Sequence, residues 1–124
     1  IQVPFSIFQQ WSSSELMPKA KDNSISILTR TIFAGGLLST NKRNWKSINL
    51  EHQKKINDLS QILKIPKKLI PQYALSFSSQ RDDVTSTIIG INSIDSVERT
   101  LQFYMNHINE LELKKLEKYV WKYK

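Results

Sequence analysis

The sequence predicts an α/β fold: a partial (β/α)8, or TIM, barrel, with three parallel strands and flanking helices. Three observations predict it. Short apolar, β-branched runs alternate with helical patterns in the order β-α-β-α-α-β-α-α. Parallel strands need such helical crossovers, which are expected to be right-handed. The chain has 124 residues, whereas a complete eight-unit barrel needs about 250. Three strands are therefore part of a barrel rather than a whole one. Residues 1–124 contain no internal repeat and no linker long enough to divide them, so they are read as one unit.

Each element follows from its residues. Residues 1–7 read as the first strand, because Ile1, Val3, Phe5 and Ile7 are apolar at alternate positions. Pro4 removes one ladder donor from it. Ser12-Ser13-Ser14 before Glu15 resembles a helix start, a serine supplying the cap oxygen. Pro18 fits only the first turn of that helix, which ends near Asp22-Asn23. Residues 24–33 form the second strand, with Ile25, Ile27 and Leu28 apolar and Arg30 near its end. Ala34-Gly35-Gly36 breaks the pattern, and a basic loop containing Trp45 follows.

The next helix covers residues 50–64, with Ile56, Leu59, Ile62 and Leu63 spaced for one face. Ile65-Pro66 ends it, since a residue before proline avoids the helical region. Pro66 suits the first position of a further helix reaching about residue 79, in which Leu69, Ile70, Tyr73, Ala74 and Phe77 face the core. Pro71 lies deeper and is expected to kink it. Residues 84–90 form the third strand. Asn92-Ser93 opens a helix over residues 94–107, with Asp95 and Glu98 in its first turns. A last helix over residues 110–121 carries Leu113, Leu116 and Val120 on one side and lysines on the other.

Composition narrows the functional classes. Hydrophobic residues are 40% and charged residues 23%, which is globular usage and argues against disorder. The absence of cysteine excludes disulfides, thiolate metal sites and a cysteine nucleophile. It suits a reducing, cytoplasmic compartment. No apolar run approaches the roughly 20 residues that span a bilayer, so no membrane partner is expected. The start, Ile1-Gln2-Val3-Pro4, lacks Met and any leader pattern and reads as the interior of a longer protein. The net charge is +7, with eight basic residues between Asn41 and Ile70 against Glu51 and Asp58. Trp45 is the one large aromatic among these cations, not the interleaved series a stacking platform would require, so nucleic acid is not the expected partner.

Chemistry is expected in the loops after the strands, because ligands of parallel α/β folds gather at strand carboxyl ends. Arg30-Thr31-Ile32-Phe33-Ala34-Gly35-Gly36 follows the second strand, and Gly90-Ile91-Asn92-Ser93 leads from the third into a helix. Glycine permits close backbone approach, and a helix N-terminus offers amides to an anion. The other reading is a plain turn and a plain helix cap. No Gly-x-Gly-x-x-Gly and no Gly-Lys-Ser/Thr phosphate loop is present. His52 and His107 form no cluster of metal-ligand spacing, Asp82-Asp83 reads as a solvated turn, and no Gly-x-Ser-x-Gly elbow exists. Trp11, Trp45 and Trp121 read as packing anchors.

The ordered segments resemble the C-terminal part of aldo-keto reductases, barrel enzymes that reduce carbonyls with NADPH or NADH. Ile1-Gln2-Val3-Pro4-Phe5-Ser6 looks like the sixth barrel strand. Ile27 to Leu38, ending Phe33-Ala34-Gly35-Gly36-Leu37-Leu38, looks like the seventh strand and its loop. Pro66 to Ser78 resembles the helix that follows, and Val84 to Gly90 with Ser93 to Leu101 resembles the eighth strand and its helix. The resemblance implies a cofactor site. Gln2 matches the glutamine that bonds the nicotinamide carboxamide. Arg30 stands beside the ring position, where other members carry an aromatic. Thr31, Ile32, Phe33, Ala34 and Gly35 match the pyrophosphate loop. Gly90, Asn92, Ser93, Ser96, Arg99 and Thr100 match positions around the adenosine and its 2′-phosphate.

Ile32 and Ile94 stand where proline is frequent, Thr100 where asparagine is usual, and Arg99 where glutamate is common. The choice between NADPH and NADH stays open. The family's catalytic Asp, Tyr, Lys and His belong to the first half of the barrel, so no catalytic residue is assigned here. The chain alone is expected to be inactive. Its implied partners are a small carbonyl substrate and the missing N-terminal half of the barrel or another chain. Two alternatives stay open: a non-enzymatic half-barrel interaction module, or a degenerate reductase.

Overall fold

The computed structural model describes residues 1–39 and 49–117. Its order is β1 (Gln2–Pro4), α1 (Leu16–Asp22), β2 (Leu28–Arg30), α2 (Leu50–Leu63), α3 (Ile70–Ser79), β3 (Ser86–Thr87), α4 (Ile94–Met105) and α5 (Glu110–Leu116). Short 3-10 turns at Trp11–Ser13 and Lys67–Leu69 precede α1 and α3. This matches the predicted order. The strands are parallel in the order β1-β2-β3, with Gln2 opposite Leu28 and Leu28 opposite Ser86. They are shorter than the predicted 1–7, 24–33 and 84–90, because ladder pairing ends where the chain turns toward its crossovers.

The sheet has one covered and one uncovered face. Val3, Phe5, Ile27 and Thr29 are buried against the helices. Met17 and Ala20 of α1, Ile56, Leu59 and Leu63 of α2, and Ile70, Tyr73, Ala74 and Phe77 of α3 complete that core with Leu116 of α5. Phe5 stacks on Phe77 at 5.2 Å between centroids, and the Arg81 guanidinium lies over its ring. Side chains alternate along a strand. Gln2, Arg30, Ser86 and Ile88 accordingly face away from the helices and are exposed. Among the described residues, the outer edges of β1 and β3 pair with no strand.

Local corrections have physical causes. The serines before α1 do not cap it. Ser13 Oγ donates to the Gln10 carbonyl at 2.6 Å, and Glu15, the residue at the cap, makes no side-chain cap bond. Pro71 does not kink α3, because it sits in the first turn, where no amide is needed. Pro66 precedes the 3-10 turn rather than beginning α3. Ile62 is 46% exposed, on the rim of the α2 stripe, and Leu69 is half-buried. Trp11 is 60% exposed rather than a buried anchor, while Trp45, Val120 and Trp121 lie outside the described residues. Asp83 is not solvated. Arg81 donates to it at 2.8 and 2.6 Å, and it is buried, while exposed Asp82 accepts from Lys21 at 2.5 Å.

Candidate functional site

The segments that leave β2 and β3 turn toward each other and line one cleft of about 1100 Å³ with α4. The β2 side is an unusual piece of backbone. Thr31, Ala34, Gly35 and Gly36 have φ of 56°, 50°, 67° and 91°. Gly35 and Gly36 take this region freely, but a β-branched threonine there is strained. Hydrogen bonds hold it. Thr31 Oγ1 donates to the Arg30 carbonyl at 2.7 Å, the Ala34 amide to the Thr31 carbonyl at 2.8 Å, and the Leu38 amide to the Phe33 carbonyl at 3.0 Å. Over-determined strain of this kind gathers at ligand clamps and active sites.

The facing wall begins at the N-terminus of α4. Ser93 Oγ accepts from the Ser96 amide at 3.1 Å and pairs with Ser96 Oγ at 2.8 Å, and Ser96 Oγ donates to Asn92 Oδ1 at 3.3 Å. One turn further, Arg99 and Thr100 line the cleft. A Cβ built on Gly35 or Gly90 would meet no protein atom within 4 Å, so open space adjoins both glycines. Among the described residues the lining contains two arginines and no carboxylate. Twisted backbone, a helix N-terminus, hydroxyls and guanidinium groups form a donor set suited to a large polyanion.

Arg30, Thr31, Ile32, Phe33, Gly35, Gly90, Asn92, Ser96, Arg99 and Thr100 line this cleft. Ile32 is only 1% exposed and underlies the loop. Gln2, Ala34 and Ser93 do not line it. Gln2 sits on the uncovered sheet face, Ala34 turns the loop, and the Ser93 hydroxyl caps α4. Sequence reasoning missed Gly36, Ser39, Pro71, Ile88, Ile89, Ile91 and Phe103 in the lining. Phe103 was detectable, since it follows Thr100 and Arg99 by three and four residues on one helical face. Ile88 and Ile91 read as strand and loop, and their exposure was not legible.

Groups with shifted proton affinity lie outside the lining. Burial, and then the hydrogen bond to Glu112, push the Tyr73 hydroxyl up to about 12. The bond between Lys21 and Asp82 raises the amine and lowers the carboxyl, and Asp83 raises Arg81. Among the described residues the lining contains no carboxylate, histidine or tyrosine to pair as acid and base.

The family model described as "Aldo/keto reductase family" matches residues 1–120. The chain belongs to the aldo/keto reductase family. No curated protein matches it. Aldo/keto reductases are oxidoreductases on a TIM barrel and generally use NAD(P)H, and the three parallel strands with helices on one face are consistent with part of such a barrel. Among the described residues no helix is long and apolar enough to cross a membrane.

Proposed function

We propose that this aldo/keto reductase chain is the C-terminal, cofactor-binding part of an NAD(P)H-dependent enzyme that reduces aldehydes or ketones. The observation that carries this reading is the cleft between the β2 loop and α4, with two arginines, hydroxyls and strained backbone and no carboxylate in its described lining. The β2 loop from Thr31 to Gly35 suits the pyrophosphate, and Asn92, Ser96 and Arg99 suit the adenosine phosphate. Gln2, on the uncovered sheet face, suits the carboxamide. When bound, the dinucleotide supplies the hydride. This chain positions the cofactor and screens its phosphates. The proton donor and its partners would come from the other half of the barrel.

That half is the partner this reading proposes. The outer edge of β3 is unpaired among the described residues, and α4 buries none of its side chains. Titrating NADPH and NADH into the full-length protein, followed by reduced-nicotinamide fluorescence, tests the reading. Binding that weakens in Arg99→Gln supports it. The absence of any dinucleotide binding, with no carbonyl-dependent NADPH oxidation, would remove it.

A further inference from the structure

Arg30 is the charged residue among those that β1, β2 and β3 place on the uncovered sheet face, where its neighbours include Gln2, Pro4, Leu28 and Ser86. It is exposed, and among the described residues no carboxylate lies within ion-pair distance of it. Its backbone is fixed. The Arg30 carbonyl accepts from the Phe5 amide at 3.0 Å and from Thr31 Oγ1 at 2.7 Å. The following residue carries the left-handed strain, so the strand end is held in one geometry. A cation with no internal partner, on a fixed strand end at a cleft wall, is arranged to meet an external anion.

Two anions compete for that role, a cofactor phosphate and a substrate carboxylate. The polar wall of Asn92, Ser96 and Arg99 is at and just before the start of α4, whereas Arg30 is on the sheet, in the next row but one from Gln2. Resting on the cofactor reading above, we propose that Arg30 is a specificity residue that selects carbonyl substrates bearing a carboxylate. A guanidinium receives a carboxylate through two parallel N–H···O bonds, a geometry a neutral substrate cannot match.

The test titrates benzoate and benzamide, an isosteric charged and neutral pair, into the full-length protein by calorimetry, with and without NADP⁺. The parent is expected to bind benzoate about tenfold more tightly, the worth of one charge-assisted hydrogen-bonded pair. In Arg30→Gln the two affinities converge, and Arg30→Lys, which keeps the charge but not the fork, falls between them. Far-UV circular dichroism establishes that the variants fold. A parent that binds both compounds alike, or an unchanged ratio in Arg30→Gln, overturns the proposal. So does a variant that loses NADPH affinity but not NADH affinity while keeping the ratio, which would assign Arg30 to the cofactor phosphate. If neither dinucleotide binds the parent yet benzoate selection still depends on Arg30, the cofactor reading fails while carboxylate recognition by Arg30 stands.

Discussion

Thr29 shows how one residue can serve packing and pairing together. It is fully buried in the central strand, and its Oγ1 lies 2.6 Å from Ser78 Oγ and 3.1 Å from Thr87 Oγ1. Ser78 and Thr87 are 3.2 Å apart, so three hydroxyls from β2, α3 and β3 close a triangle under the sheet. Buried polar groups are tolerated when satisfied and costly when orphaned. Thr29→Val keeps the shape and removes the hub. It should lower unfolding free energy by about 1–2 kcal/mol in a urea titration, since Ser78 and Thr87 can still pair with each other. Tyr73 supplies a pH-dependent counterpart. Its hydroxyl donates to the Glu112 carboxylate, and its folded pKa of about 12 exceeds the ordinary 10. The protonated phenol is therefore the form the fold favours. The contribution is fully present below pH 10 and is lost as pH rises from 10 to 12, where the unfolded chain ionises first. Urea midpoints across that range should fall for the parent and fall less for Tyr73→Phe, which has no proton to lose.

Element ends carry separable contributions. Lys64 closes α2 with φ 54° and ψ 42°, a left-handed cap that glycine adopts without a Cβ penalty. Lys64→Gly should stabilise the chain by about 1 kcal/mol, read from the same denaturant titration. Asn49 and Ser93 cap α2 and α4 in the same way, accepting from the amides of His52 and Ser96 at 2.9 and 3.1 Å. Either residue changed to Ala should cost about 1 kcal/mol of stability. Only Ser93→Ala should also weaken dinucleotide binding, by several-fold in a fluorescence titration, because α4 alone opens on the cleft. Equal effects of both caps on binding would detach the α4 terminus from the ligand. These ends also show what was legible in sequence. Element type and order followed from apolar periodicity in α2 and α3 and from β-branched runs, which local chemistry controls. Strand length did not, because β3 has only Ser86–Thr87 in the ladder although Val84 to Gly90 is one β-prone run. Pairing is decided by the neighbouring strand, a non-local fact. The serine cap predicted before α1 failed for a related reason: Ser13 and Ser14 donate to the Gln10 and Trp11 carbonyls, and Ser12 to the Met17 sulfur. Most cleft residues were found through the family resemblance. Residue chemistry alone favoured a plain turn and a plain helix cap.

The whole molecule poses a packing problem that α4 makes concrete. Ile94, Val97, Leu101 and Tyr104 recur at spacings of three, four and three, the stripe of a helix that faces a core. Yet they are 77%, 38%, 55% and 54% exposed, and α4 buries no residue although it packs beside α3. A second cavity, of about 270 Å³, lies between the β3 edge and Leu101 and Tyr104. Full burial of one such side chain is worth roughly 1.5–3 kcal/mol, so covering the stripe would contribute several kcal/mol. The remaining strands of a TIM barrel would cover it by adding next to β3. Leu101→Lys decides between a covered and a wet stripe. If the stripe is covered in the full-length protein, the substitution removes apolar burial and forces in a charge. It should then cost at least about 2–3 kcal/mol in a urea titration. If the stripe stays in water, the cost should be within about 0.5 kcal/mol. Gln102→Lys, which adds the same single positive charge on exposed α4 surface outside the stripe, is the control and should stay near zero in both cases. A large effect at Leu101 alone would place the rest of the barrel against α4. Two small effects would leave this face free and would favour the half-barrel interaction module over the closed enzyme.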